Sequence, residues 1–411
     1  MPVVAERGRP GGAPLEAAAG VVTAAADQSG PRPCRGPRPL ALYLRLATLA
    51  ARADTAAAGR GRHASPVDLT RFVNGLRAYW EHSYCRPASR PPIIWTSGSA
   101  RLVDHGDPHG WPVLIVPSLV NRAYILDLDG SRSLIRHLVD TGYRPILLDW
   151  GQPQGTELSL TLADQIFARA AAALDATLAV AGRPPVLLGY CMGGLVACAL
   201  AQARSADLAG LGLLATPWDF AAGRAGTAPL LAPGLLPLTL GIATMGQAPV
   251  DLLQAFFGLL DPWRVIDKFQ RFADLPPDSA EAERFVAVED WLNDGVPLAG
   301  PVAQECLWHW YVENRPGRGI WAPGGELVQP EKLALPSFVA IPRRDRIVTA
   351  ASAEALARRL PQATVVRPMA GHISMLIGKA APVQLWRPFT EWLRRIAPSR
   401  SPRAMRPASA T

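Results

Sequence analysis

The chain has 411 residues, 49% hydrophobic and 18% charged, with 40 prolines and 36 glycines, so it can bury a large core and needs many turns. Its net charge is +8, but nine arginines against four acids fall in residues 1–62, and five arginines without an acid in residues 394–411. The basicity therefore belongs to the ends, which argues against a nucleic-acid face, and no membrane-spanning helix is expected.

Residues 1–39 are rich in Ala, Gly, Pro and Arg and lack the large apolar groups that offset ordering entropy, so a disordered start is expected. Within Met1–Ala26 the apolar stretch is broken by Glu16 and preceded by Pro and Gly, which favours a cytoplasmic protein over a secreted one. Helical periodicity over 40–58 and 66–84 predicts a short helical extension over 40–92, with Ser65-Pro66 as N-cap and first residue of the second helix. Pro91-Pro92 closes it.

From Ile93 the pattern changes. Short, continuous runs at Val113–Val116, Ile146–Leu148, Val186–Leu188 and Gly210–Leu214 read as buried parallel strands. Helical stretches at Ser131–Thr141, Ser159–Ala181 and Met192–Arg204 alternate with them, the signature of a doubly wound, mostly parallel α/β sheet. The alternation lapses over about 219–329, read as a cap insertion. Strands resume at Leu335–Ile341 and Thr364–Arg367, and a helix over Pro382–Ile396 ends an α/β domain spanning 93–396. A basic disordered tail is expected over 397–411.

The five cysteines, Cys34, Cys85, Cys191, Cys198 and Cys306, contain no CxxC pair and give neither a disulfide framework nor a zinc pattern, so no metal is expected. Cys191 stands out. In Gly189-Tyr190-Cys191-Met192-Gly193-Gly194 it follows a buried strand and opens a helix, which is the nucleophile elbow of the α/β-hydrolase fold. Gly189, Gly193 and Gly194 are needed because strand and helix backbones cross there too closely for side chains. The positive end of the helix dipole favours a thiolate.

In this fold the chain order is nucleophile, acid, histidine. His372, in Met369-Ala370-Gly371-His372, is the histidine that follows a late strand in a glycine-bearing loop. Five of the seven histidines precede the elbow, and His309, between Trp308 and Trp310, reads as a packed neighbour. Asp345, just past Leu335–Ile341, fits the acid. His372 would take the thiol proton, Asp345 would orient the imidazole, and Cys191 would carry an acyl group. The developing oxyanion needs backbone N–H groups, assigned to Met192 and to the loop around Ser118 and Leu119.

With these residues in place, the chain resembles the poly(3-hydroxyalkanoate) synthase family and its close α/β-hydrolase relatives. The resemblance rests on VLIVPSLVNRAYILDL (Val113–Leu128), LLDW (Leu147–Trp150), LGYCMGG (Leu188–Gly194), TPWDF (Thr216–Phe220), Trp308–Asn314, DRIV (Asp345–Val348) and GHI (Gly371–Ile373). It implies that Cys191 accepts a 3-hydroxyacyl group from a coenzyme A thioester, used as substrate and not as a cofactor. The group then passes to the hydroxyl end of a polyester. The resemblance also implies a granule surface and either a homodimer or a second synthase subunit as partners. The family carries His after the catalytic Asp, whereas this chain has Arg346. Two short helices stand where longer synthases have a large N-terminal domain, as in the shorter type that works with a second subunit. Two other readings stay open: hydrolysis by a thioesterase, esterase or depolymerase, and a granule-associated protein without catalysis.

Overall fold

The computed structural model describes residues 36–56, 67–87, 89–223, 238–259 and 262–398. The start expected to be disordered, up to residue 35, and the basic tail, from residue 399, lie outside the described residues.

Two helices come first, α1 (Leu40–Ala56) and α2 (Leu69–Glu81). The second does not open at Ser65-Pro66, which lie outside the described residues. Its cap is Asp68, whose carboxylate accepts from the Arg71 amide at 3.0 Å. The Asp68 amide donates to the Gln270 side chain at 2.8 Å, so a tertiary contact fixes where the helix begins.

The central sheet has eight strands: β1 (Ile93–Ser97), β2 (Ala100–Asp104), β3 (Trp111–Val116), β4 (Tyr143–Asp149), β5 (Val186–Tyr190), β6 (Gly210–Leu214), β7 (Ser337–Ala340) and β8 (Ala363–Val366). Their order is β1-β2-β4-β3-β5-β6-β7-β8. The first hairpin pairs antiparallel, as does β2 with β4, and every later pairing is parallel. Helices α3 (Leu134–Asp140), α4 (Ala171–Ala181) and α5 (Met192–Ala203) connect the first parallel strands. The α/β-hydrolase fold expected from the elbow and the alternation is present.

The strands β3, β5 and β6 read clearly because they are buried on both faces. Leu114, Leu187, Leu188, Leu211 and Leu213 are fully buried, and each such side chain stabilises the fold by about 1.5–3 kcal/mol. The antiparallel pair β1 and β2 had no such run to reveal it. β1 is largely exposed and β2 alternates buried with half-buried positions, as an edge hairpin should.

Between β6 and β7 the chain forms a helical insertion with α6 (Val250–Leu259), α7 (Pro262–Phe272), α8 (Ala280–Asn293) and α9 (Gly300–Glu305). It holds one short antiparallel ladder the sequence did not suggest, Gln247–Ala248 against Leu298–Ala299. Two-residue strands carry too little periodicity to be read. After it come α10 (Ala350–Ala357), α11 (Ser374–Ile377) and α12 (Arg387–Ile396).

A second hydrophobic cluster, apart from the main core, joins α1 and α2 to the insertion through Tyr43, Phe72, Leu76, Tyr79, Phe269 and Val286. Gly75 of α2 lies so close to the Phe269 carbonyl that a Cβ there would overlap it. Tyr79 donates to Asp290 at 2.7 Å across the same contact. The N-terminal helices thus pack on the insertion. The insertion is in turn tied to the sheet domain by Arg122–Asp294 at 2.8 Å and by the Trp291 indole donating to the Arg122 carbonyl at 2.7 Å.

Candidate active site

Strand β5 delivers Cys191 directly into α5. The cysteine has φ 55° and ψ −124°, a backbone state that costs a non-glycine residue on the order of 1–3 kcal/mol and persists only where the surroundings enforce it. Here the Cys191 amide donates to the Leu214 carbonyl and the Gly194 amide to the Cys191 carbonyl, both at 2.9 Å. The flanking glycines have a visible reason. A Cβ on Gly189 would come within 2.5 Å of Gly194 Cα, one on Gly193 would overlap the Val116 and Pro117 carbonyls, and one on Gly194 would overlap Thr216.

The acid and the histidine arrive on the loops after β7 and β8. His372 Nδ1 and Asp345 Oδ2 are 2.7 Å apart, with the carboxylate side chain fully buried and the imidazole 7% exposed. The other carboxylate oxygen, Oδ1, accepts from the amides of Ile347 at 2.8 Å and Val348 at 2.9 Å. This anchoring leaves Oδ2 aimed at the ring. Burial alone would push the imidazole pKa down, but the charges of Asp345 and Cys191 and hydrogen bonds to both side chains overcome it, raising His372 to about 10. Asp345 and His372 thus form one hydrogen-bonded line, with the charge of Cys191 acting on the ring.

Tyr190 covers this line, though the sequence offered it only as the aromatic before the cysteine. Its ring centroid lies 5.1 Å from that of His372 and its hydroxyl donates to the His372 carbonyl at 3.4 Å. Burial and the nearby Cys191 and Asp345 charges push its pKa well up, so it stays a neutral donor.

The loop expected to complete an oxyanion site sits against the elbow. Ser118 and Leu119 are buried, the preceding Val116 and Pro117 carbonyls abut Gly193, and the Ser118 hydroxyl has no hydrogen-bond partner among the described residues. Met192 is the first residue of α5, where amides have no acceptor one turn earlier in the helix. His309 stands apart, with Glu305 at 3.9 Å inside the insertion, and burial lowers its pKa. Asn314 accepts from the Phe220 amide at 2.9 Å and donates to Asp219 at 2.8 Å, joining Thr216–Phe220 to the end of Trp308–Asn314.

A cavity of about 520 Å³ lies between the insertion helices and the loops of Arg346 and His372. Phe257, Val288, Leu292, Ile347, Ile373 and Ile377 contribute to its apolar lining, and His372 forms part of its wall. Among the described residues no cluster of His, Cys, Asp or Glu could hold a metal ion, and no helix is long and apolar enough to cross a membrane.

A buried thiol on a strained strand-to-helix turn, with an imidazole and a carboxylate from later loops, defines the class, and the profile of the alpha/beta hydrolase fold matches residues 111–379. Among curated proteins the chain is similar to the poly(3-hydroxyalkanoate) polymerase subunit PhaC of Haloferax mediterranei, 28% identical over 290 residues, covering 68% of this chain and 58% of that one. The corresponding subunit of Haloarcula marismortui is 27% identical over 290 residues, covering 68% and 60%. That of Synechocystis sp. is 30% identical over 295 residues, covering 69% and 77%. The chain belongs to this poly(3-hydroxyalkanoate) polymerase family within the α/β-hydrolase fold. It spans about 58% and 60% of the length of the first two relatives.

Proposed function

We propose that the chain is an acyltransferase of the poly(3-hydroxyalkanoate) synthase type, with Cys191 as the nucleophile. The observation that carries the reading is the Asp345–His372 contact of 2.7 Å ending at a cysteine on a strained elbow. His372 holds the thiol proton, so that Cys191 attacks the thioester carbonyl of a 3-hydroxyacyl-CoA as thiolate. The amides of Met192 and of the Ser118–Leu119 loop steady the oxyanion. Its collapse breaks the carbon–sulfur bond to coenzyme A, which leaves with the proton from His372. The acyl group now sits on Cys191.

In the second half the hydroxyl end of a polyester attacks this thioester while His372 accepts the hydroxyl proton. The chain grows by one unit and the cysteine is restored. Asp345 keeps Nδ1 occupied throughout, so that Nε2 is the nitrogen that moves protons. Thioester-to-thioester exchange is nearly thermoneutral, which suits cysteine in the first half. The polyester acceptor, a granule surface in the cytoplasm, and a homodimer or second subunit belong to the same reading.

The test is purified protein with 3-hydroxybutyryl-CoA, following free CoA and separating polymer from free acid. Release of CoA with polymer supports transfer to a hydroxyl. Release with free acid alone replaces it by hydrolysis at the same cysteine.

A further inference from the structure

We propose that Trp150 and Trp291 are positioning residues for acyl transfer: their indole N–H groups clasp the carbonyls at the two ends of the loop 117–122 and so aim the Ser118 and Leu119 amides at the thioester oxygen. The inference rests on the acyl-transfer reading above. At the near end the Trp150 indole donates to the Pro117 carbonyl at 3.2 Å, a bond buried between sheet and elbow. The pyrrolidine ring already sets φ of Pro117. With its carbonyl held as well, ψ is set, and the Ser118 N–H, antiparallel to that carbonyl in the same planar peptide, has one direction left. At the far end the Trp291 indole donates to the Arg122 carbonyl at 2.7 Å. Between the two clasps Ser118 and Leu119 are buried, and their amides donate to no backbone acceptor among the described residues, as donors kept for an oxyanion must.

The two indoles are held from opposite sides. Trp150 directly follows β4, and its own carbonyl accepts from the Ser99 hydroxyl at 3.0 Å. The preceding Asp149 accepts from Arg101 of β2 at 3.0 Å and from the Gly151 amide at 3.1 Å. Gly151, at φ 64°, runs so close to the Ser99 carbonyl that a Cβ there would overlap it. The edge hairpin β1–β2 thereby fixes the stretch that carries the Trp150 ring. Trp291 belongs instead to α8 of the insertion. The chain just beyond α8 pairs with the same loop, through the Val296 amide donating to the Val120 carbonyl at 3.2 Å and an antiparallel bridge between Asn121 and Gly295. The Arg122–Asp294 ion pair closes this side at 2.8 Å. Sheet and insertion therefore meet on one six-residue loop, and its aim depends on both.

Trp150→Phe and Trp291→Phe each remove the donor and keep an aromatic ring, and 3-benzothienylalanine placed at position 150 removes it with the ring size unchanged. With 3-hydroxybutyryl-CoA, kcat should fall roughly ten- to a hundredfold in each with KM unchanged, because a group misplaced by about 1 Å costs on the order of 10²-fold in the transition state alone. A trifluoromethyl ketone thioether of CoA adds the Cys191 thiol to its carbonyl and gives a fluorinated mimic of the oxyanion. Fluorine NMR should show the hydroxyl of this adduct ionising at higher pH in the variants than in the parent, a shift that lost stability by itself does not produce. Parental kcat with parental ionisation, or a raised KM with kcat kept, would overturn the proposal. A parent that neither releases CoA nor forms the ketone adduct would remove the cysteine reading instead. Hydrogen exchange then decides the clasp on its own: the peptide over 113–126 should exchange roughly tenfold faster in the variants, and exchange equal to the parent would overturn it.

Discussion

Asp345 holds His372 through one carboxylate oxygen, at 2.7 Å, while its other oxygen is fixed by the amides of Ile347 and Val348. The acid is therefore oriented by backbone before the histidine meets it. Replacing one oxygen by an amide nitrogen should preserve the fold and spoil the alignment. Asp345→Asn is expected to lower the rate of CoA release by about 10⁴-fold, as tautomer loss does in triads generally. Steady-state kinetics with matched circular dichroism checks it. A loss below tenfold would mean that the acid does not orient the base.

The raised pKa of His372 gives a pH dependence with a definite sign. The folded value lies at about 10 against an ordinary 6.5. The stabilisation from the charged ring is thus fully present below about 6.5 and is lost as pH rises through about 10. The difference in urea midpoint between parent and His372→Gln should shrink over that interval. Imidazole resonances should titrate lower in Asp345→Asn, because burial then acts against a weaker counter-charge. A midpoint difference that grows with pH would contradict the charge arrangement.

The elbow tolerates no side chain at its glycines. Gly193→Ala places a methyl against the Val116 and Pro117 carbonyls, which must move with the loop carrying Ser118 and Leu119. The expected outcome is a loss of about 1–3 kcal/mol in denaturant unfolding together with a large fall in activity. Unchanged stability and activity would show that the crossing is looser than it looks.

Gly75 plays a comparable part between α2 and α7. Gly75→Leu should displace α2 from the Phe269 carbonyl and loosen the second hydrophobic cluster, at a cost of about 1–3 kcal/mol. Limited proteolysis reads it directly. Cleavage should rise first in the insertion, with the sheet core protected; uniform protection would remove the α1–α2 pair from any role in holding the insertion.

The sheet and its elbow were legible for one reason: continuous apolar runs such as Val186–Leu188 and the clustered glycines around Cys191 are local signals. The β1–β2 hairpin was not, since an edge pair with mixed exposure has no such run. The start of α2 shifted to Asp68 because its amide bonds Gln270, about two hundred positions away in the chain. Asp345 and His372 could be picked by order along the chain, but the anchoring of Asp345 by two amides and the covering Tyr190 ring exist only in three dimensions. The cavity was least legible of all. Its walls come from Tyr43, Phe257, Arg284, Arg346 and Ile377, residues with no shared pattern in sequence.

Cys191 is expected to carry the acyl group. Intact-mass and peptide mass spectrometry after brief mixing with 3-hydroxybutyryl-CoA measures this most directly. The parent should gain the mass of one or more 3-hydroxybutyryl units on the peptide containing Cys191, removable by hydroxylamine, and Cys191→Ala should gain none while losing CoA release by at least about three orders of magnitude. An adduct on another residue, or CoA release from Cys191→Ala at the parental rate, would contradict it.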